Sequence, residues 1–537
     1  MKTLLKNHKE YYVNKVLKVQ AKTINKDRIM INLLPLLKFN GKTQSPLVNN
    51  VDELLEYVWN NELLFDGFSD HKELVEKWLK NDYMDMLHKE SEKKESKFVS
   101  LLPLSLNAYK ASNTKNRDDY GGSEELWHLL YKADEERKVQ NQDLIIQKLT
   151  DFLSNGYNRE LDQVENDDQQ DLSTWLISSI TNQLSNDQDN DKERIHSEDP
   201  LLCMTQARLL ADDIERLLAY QHVMSRTALI ESLSQVMMLH IGLYVLRAAQ
   251  MLPVMVKKKT MNIDCGCSRT NKLTDMNACK YQPFFQMDMM QNYSSHLSKI
   301  SRRNIEIHEQ QLSLFVESMF YIRKKLDFLE YLDDDKNYSL EEVLQFDLST
   351  EKLKVENYFK VRFDGLKEFV DDVEKDPEED YFTNYVAVIN REYNKYYVAF
   401  FKRLISSAFS KNDERGILRQ AGSHKKYTIG SQLLDTIIHL AMVEKKGYSF
   451  ETKVLRLDQF LNWIRDRYGF YVDDIIPGYE SSQAFHSLRQ SKNYFTTKLQ
   501  EIGYYQALSD AYNTQWLIAR YDVKGGKRDA TAGKATS

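Results

Sequence analysis

Apolar positions recur with a helical period along most of this chain, and the densest run of them lies near its middle. The stretch Ser225 to Pro253, SRTALIESLSQVMMLHIGLYVLRAAQMLP, opens on a helix-start signal, Ser225 followed by Thr227, and meets proline at its far end. Between Val236 and Leu246 it is apolar on nearly every face, the pattern of a helix buried on all sides or lying in a membrane. A membrane span needs roughly 20 uninterrupted apolar residues. Glu231, Gln235, His240, Arg247 and Gln250 interrupt this run, and charge at mid-membrane depth is costly. The expectation is a buried core helix ending at Pro253, which cannot continue the hydrogen-bond ladder. His240 and Glu231 read either as ligands or a catalytic pair, or as core residues satisfied by neighbours; the second reading is favoured.

Around this axis the same periodicity predicts further helices. Residues 51–65 and 70–87 carry helical spacing, with Asp52 and Ser69 or Asp70 as caps. Ser123 opens a helix toward Asn155, with Leu126, Trp127, Leu130, Tyr131, Leu144, Ile145 and Leu149 as its apolar positions. A short helix is expected over 174–184, and another after Pro200 that buries Leu209, Leu210, Ile214, Leu217 and Leu218. Long helices are expected over about 286–332, with breaks over 338–375, and over the aromatic-rich 379–410. Near the N-terminus, KVLKVQAKT and RIMINLLPLLKF read as two strands around a turn at Asn25, Lys26 and Asp27.

Composition shifts divide the chain. The expected layout is an N-terminal α/β or helical domain (1–155), an acidic linker with a short helix (156–200), a central helical domain (201–410) and a basic, glycine-containing linker (411–429). A winged-helix-like domain (430–523) and a low-complexity tail (524–537) follow. The winged-helix expectation rests on order: helices over 431–444, 458–469 and 480–503, an extended segment 450–457, then two strands within 504–523 around a polar turn, Ser509 to Thr514. The fold class is therefore mainly α, with a small N-terminal α/β portion and a C-terminal winged-helix-like unit.

The 537 residues include only 18 Gly and 8 Pro, which favours long helices over a many-stranded sheet. A net charge of -7 argues against a wholesale polyanion binder and leaves room for a local basic patch. Four cysteines in so long a chain make no disulfide framework, and the N-terminus has no apolar leader, so a reducing cytoplasm is expected.

Candidate chemistry is sparse. The helix 480–503 occupies the recognition position of a winged helix. Its polar face carries His486, Arg489, Lys492, Asn493, Thr497 and Lys498, with Arg520, Lys524, Lys527 and Arg528 further on. Lys and Arg there suit phosphates, and Arg489 or Asn493 suit base edges of double-stranded DNA; the alternatives are a winged helix used for protein docking and an unrelated helical cap. Cys265, Cys267 and Cys279 form C-x-C-x₁₁-C, with His296 as the nearest downstream fourth ligand for zinc. The paired C-x-x-C knuckles of a clear zinc site are missing, and reduced loop thiols are favoured. Asp333, Asp335, Asn337, Ser339 and Glu341 mimic a calcium loop, but Tyr338 replaces its glycine and Leu344 its bidentate glutamate. Ser339 and Glu342 read better as a capping box. Glu451 and Lys453 match an E-x-K nuclease pair without a partner aspartate. Hydrolase, zincin, kinase and Walker motifs are absent.

Three features together carry a resemblance: LHIGLYVLRAAQMLP, the DCG loop after it, and QLLDTIIHL followed by FLNWIRDRYGFYV. Over roughly residues 205–520 the chain resembles helical accessory subunits of bacterial anti-phage systems. These are the DptG-like component of phosphorothioation-dependent restriction and the similar protein of methylation-associated defence. The resemblance implies a non-catalytic, DNA-associated scaffold acting with an ATPase or helicase-like partner, and carries over no catalytic residue. Two alternatives stay open from the residues: a metal-dependent nuclease or hydrolase built from dispersed side chains, and a zinc-bearing DNA-binding regulator. No membrane partner is expected.

Overall fold

The computed structural model describes residues 6–48, 50–60, 67–87, 97–113, 118–154, 157–158, 163–164, 171–182, 184, 199–265, 279–370, 373–447, 449–505 and 516–524. Helices dominate among the described residues, where six strand pairings are found, each two-stranded and short.

The first apolar run departs from expectation. RIMINLLPLLKF is part of a helix, α1 (Lys26–Lys38), and the expected turn is its cap: Asn25 accepts from the backbone N–H groups of Asp27 and Arg28. Ile29, Met30, Ile31, Leu33, Leu34, Leu36 and Leu37 are all buried, so apolar residues fall on every face. A run buried on all sides has no amphipathic period, and strand and helix then look alike in sequence. KVLKVQAKT forms turns instead of a strand. The N-terminal sheet is the pair Met84–Leu87 and Lys97–Leu101, placed where the helix expected over 70–87 gives way after Lys72–Asp82.

The helix expected from Ser123 forms as two, α2 (Gly122–Val139) and Ile145–Leu153, separated at Asn141, whose φ of 53° ends the first. The expected short helix is present as Leu172–Asn182. Next comes α3 (Met204–Leu218), which packs between α2 and the central helix α4 (Arg226–Lys258).

Ser225 caps α4 as expected, accepting from the Ala228 N–H. Pro253 does not end it: the helix runs one more turn to Lys258 and stops at Lys259, in the left-handed conformation. Proline removes one ladder bond, and Met255, two residues on, is buried within the continuing helix. The helix is long and apolar enough to cross a membrane, yet 94% of its most apolar window is buried against other elements of the same chain. It packs on α3, on α5 (His296–Leu332) and on α6 (Tyr381–Ala408). The start of α5 lies ten residues later than expected, because Phe285–Gln286 is drawn into a parallel pairing with Phe470–Tyr471. Before α6 the capping box forms as read: Ser339 and Glu342 satisfy each other's backbone N–H at the start of Leu340–Gln345.

The segment expected as a linker over 411–429 is built into the fold. Leu418–Ala421 and His424–Tyr427 make a hairpin whose buried Tyr427 bonds His308 of α5 at 2.9 Å. Three helices then follow in the expected order: α7 (Ser431–Met442), α8 (Leu457–Tyr468) and α9 (Ser482–Glu501). Gly469 ends α8 in the left-handed conformation, and any Cβ there would collide with the Pro283 carbonyl oxygen. The main apolar cluster runs from Val13 to Val523.

Candidate nucleic-acid interface and the buried polar core

The C-terminal unit is seated by apolar contacts before it presents anything to solvent. Ala484 and Leu488 of α9 join Ile475, Ile476, Leu297 and Ile300 in a small second cluster. Ser491 accepts the Met289 N–H at 2.9 Å, pinning the same face. The remaining face of α9 is open. His486, Arg489, Lys492, Asn493 and Thr497 are exposed there, and Phe485 and Tyr494 stand out beside them. Four of the six residues singled out for DNA, His486, Arg489, Lys492 and Asn493, thus lie on one exposed helix surface without an acidic neighbour between them.

The other two are committed elsewhere. Lys498 turns inward, donating to the Ile429 carbonyl at 2.8 Å and pairing with Glu414 at 3.6 Å. Arg520 bonds Asp435 at 2.7 Å and lies over the Tyr504 ring. Lys524 is exposed with Asp522 3.8 Å away, and Lys527 and Arg528 lie outside the described residues.

The β framework of this unit differs from the expected one in a specific way. A hairpin, Val443–Lys446 with Ser449–Thr452, follows α7. The strand Leu455–Arg456, between α7 and α8, pairs antiparallel with Trp516–Leu517 after α9. Ile518 also donates to the Tyr504 carbonyl at 2.9 Å. The expected turn, Ser509 to Thr514, lies outside the described residues. Glu451 sits on the exposed hairpin, bonded to Lys446 at 2.6 Å, and the Lys453 N–H is taken by the Met442 carbonyl.

The cysteines separate. The Lys280 N–H donates to the Cys265 carbonyl at 3.1 Å, which brings the backbone at Cys265 and Cys279 close together. Cys279 is buried, and its sulfur, like that of Cys203, faces the guanidinium of Arg247, at 3.5 and 3.6 Å. Cys267 lies outside the described residues, and His296 is the first residue of α5. Among the described residues no three His, Cys, Asp or Glu side chains are grouped to hold a metal ion.

His240 is a satisfied core histidine. Its Nε2 donates to Asp213 of α3 at 2.8 Å, which fixes the tautomer, and its Nδ1 accepts from Gln206 at 2.5 Å. Asp213 also accepts from Tyr468 at 2.7 Å and from two guanidinium nitrogens of Arg467, and Asp212 takes a further Arg467 bond at 2.6 Å. Burial alone would raise the Asp213 carboxyl. Arg467 foremost, then His240 and Tyr468, outweigh it and hold the group at about 2. Burial lowers the His240 pKa, so the imidazole is neutral and the aspartate carries the charge. The arrangement is closed to solvent on every side, with His240 and Asp213 both fully buried. It ties α3, α4 and α8 together and offers no reacting atom to a substrate. The pairing partners were not legible from the sequence, since Arg467 stands 254 residues from Asp213.

Against known proteins, one family model, described as methylation-associated defense system protein MAD7, matches residues 6–521. The chain belongs to that family. The match extends well beyond the 205–520 region that carried the resemblance, and of the two kinds of defence system it selects the methylation-associated one. The protein is therefore a component of a defense system. No curated protein and no solved structure matches the chain.

Proposed function

We propose that this protein is a non-catalytic, DNA-associated scaffold subunit of its defence complex, engaging duplex DNA through α9 and working with an ATPase or helicase-like partner. The observation that carries this reading is the exposed face of α9. There His486, Arg489 and Lys492 stand on successive turns with Asn493 among them, on a helix held rigidly by Ala484, Leu488 and Ser491. The strand between α7 and α8 pairing with the strand after α9 supports a winged-helix arrangement, in which the third helix is the one that enters a groove. Arg489 and Lys492 are suited to phosphates, and Asn493 to a base edge. The large buried polar core supports a scaffold role, because its ionisable groups are engaged in holding helices together.

Duplex DNA binding measured against salt tests the reading. The purified protein is expected to bind at low salt with a steep salt dependence, and Arg489→Ala/Lys492→Ala should flatten the slope of log K against log salt by about 2. A protein that binds neither duplex DNA at low salt nor any other component of its system removes the proposal. Zinc at the cysteine loop is tested separately by metal analysis of the purified chain, where less than stoichiometric zinc ends the idea.

A further inference from the structure

A second cationic feature lies away from α9 and is a concavity. The N-terminus of α1, the C-terminal end of α6 and the hairpin 418–427 enclose a cleft of about 570 Å³, within the size range of small-molecule sites, roughly 300–1,000 Å³. Six basic side chains line it: Lys26, Lys402, Arg403, Lys411, Arg415 and Lys425. Only two acidic side chains, Asp27 and Asp413, share the lining. In a chain of net charge -7 this convergence runs against the overall balance.

The cations fall into two groups. Four are held by carboxylates. Glu231 takes Lys26 and approaches Arg415 at 3.6 Å; Glu309 bridges Lys402 at 2.7 Å and Lys425 at 3.4 Å. Asp413 also grips Arg415 at 2.5 Å. Glu231 and Glu309 do not themselves line the cleft, so they fix the cations from behind. The other two, Arg403 and Lys411, are exposed and have no carboxylate partner among the described residues. Arg403 lies 5.4 Å from the Phe400 ring, and Lys411 has only a 3.4 Å contact to Gln420. Ser406 and Ser410 line the same wall, beside Ser407, whose hydroxyl is already given to the Leu404 carbonyl at 2.8 Å. The apolar lining is Ile24 and Met238, with no aromatic ring to stack a base.

We propose that this cleft binds a compact polyphosphate anion, two or more linked phosphates, with Arg403 and Lys411 as its principal charge partners. The chemistry follows from the donor set. A planar guanidinium fork, point-charge ammoniums and hydroxyls together match an anion with many oxygens. Cations arriving from three separate segments around a concavity suit a compact ligand; a nucleic-acid strand calls for a track along one face. Without an aromatic platform, recognition falls on the phosphates, whether they come as inorganic polyphosphate or as the tail of a nucleotide.

The full chain is titrated calorimetrically with inorganic triphosphate and with ATP, beside the variant Arg403→Ala/Lys411→Ala. Saturable one-to-one binding is expected, weakened at least about tenfold in the variant, while thermal unfolding without ligand stays unchanged and Arg403→Lys/Lys411→Arg retains most of the affinity. Equal affinity for both probes identifies the phosphate chain as the ligand, and tighter binding of ATP identifies a nucleotide as its source; both support the proposal. It is overturned by the absence of saturable binding of either probe, or by binding indifferent to the double variant. It is equally overturned if a short single-stranded oligonucleotide binds through Arg403 and Lys411 and triphosphate does not displace it.

Discussion

Asp213 gathers side chains from two further helices onto two oxygens, and its removal has a calculable direction. Asp213→Asn keeps the shape and deletes the charge that faces Arg467, leaving a buried guanidinium with Asp212 alone. Breaking a buried pair from one side costs about 3–5 kcal/mol. Urea unfolding should show a loss of that order, and a variant as stable as the wild type would mean the network is dispensable. Three other histidines make a pH prediction. His128, His308 and His439 are lowered to about 4, in each case by burial first. A depressed pKa means the folded state resists protonation, so their stabilisation is intact above pH 6.5 and is lost as the pH falls through 6.5 toward 4. Each can contribute up to about 3 kcal/mol to that loss. Glu125, raised to about 7 by burial, gains stability over the same range and offsets about one histidine, so unfolding free energy should still decline below pH 6.5, and a flat profile from pH 7 to 5 contradicts this. At this scale the sequence was partly legible. His240 amid an apolar helix had to be satisfied, because an unpartnered buried imidazole is costly. Nothing local pointed to Asp213, Gln206 or Arg467 as the partners.

Among the elements, α4 was the most legible and still held a surprise at Gly242. Glycine inside a helix costs about 1 kcal/mol relative to alanine, so Gly242→Ala looks stabilising from propensity. The structure reverses the sign. A Cβ at Gly242 would lie 2.3 Å from the Phe409 ring, and overpacking of this kind costs about 1–3 kcal/mol. Thermal denaturation should show Gly242→Ala less stable than wild type. Leu239→Asp and Leu243→Asp, at positions 3% and 2% exposed, should leave no folded protein, since each buries an unpaired charge. Amphipathic helices such as α3 and α6 were readable from their period. A short run buried all round, as in α1, was not, whereas the length of α4 marked it as a helix, and the hairpin 418–427 was hidden because its basic residues read as solvated chain. Lys425 of that hairpin reaches the wall of the cationic cleft. Its other members, near positions 26 and 403, are too distant in sequence for spacing to connect them.

For the molecule as a whole, the main apolar cluster, which reaches from Val13 to Val523, makes the C-terminal unit dependent on the rest. Phe470 pairs with Phe285, Arg467 with Asp213, and Arg216 of α3 donates to the Val443 carbonyl at 2.5 Å. Residues 430–524 expressed alone should be unfolded by circular dichroism, and a cooperative, native-like melt would show an autonomous unit. This interdependence lies beyond what composition shifts reveal, because a boundary in composition says nothing about which side chains cross it. The Asp213–Arg467 bond also sets a clock for synthesis. A ribosome adds roughly 5–20 residues per second, so Asp213 and His240 wait roughly 10 to 50 s for Arg467 to emerge. Throughout that interval a nascent chain carries a complete α4 beside an Asp213 that still lacks Arg467. Yield of soluble protein should therefore depend on chaperone supply during translation more steeply than the stability of the finished molecule suggests.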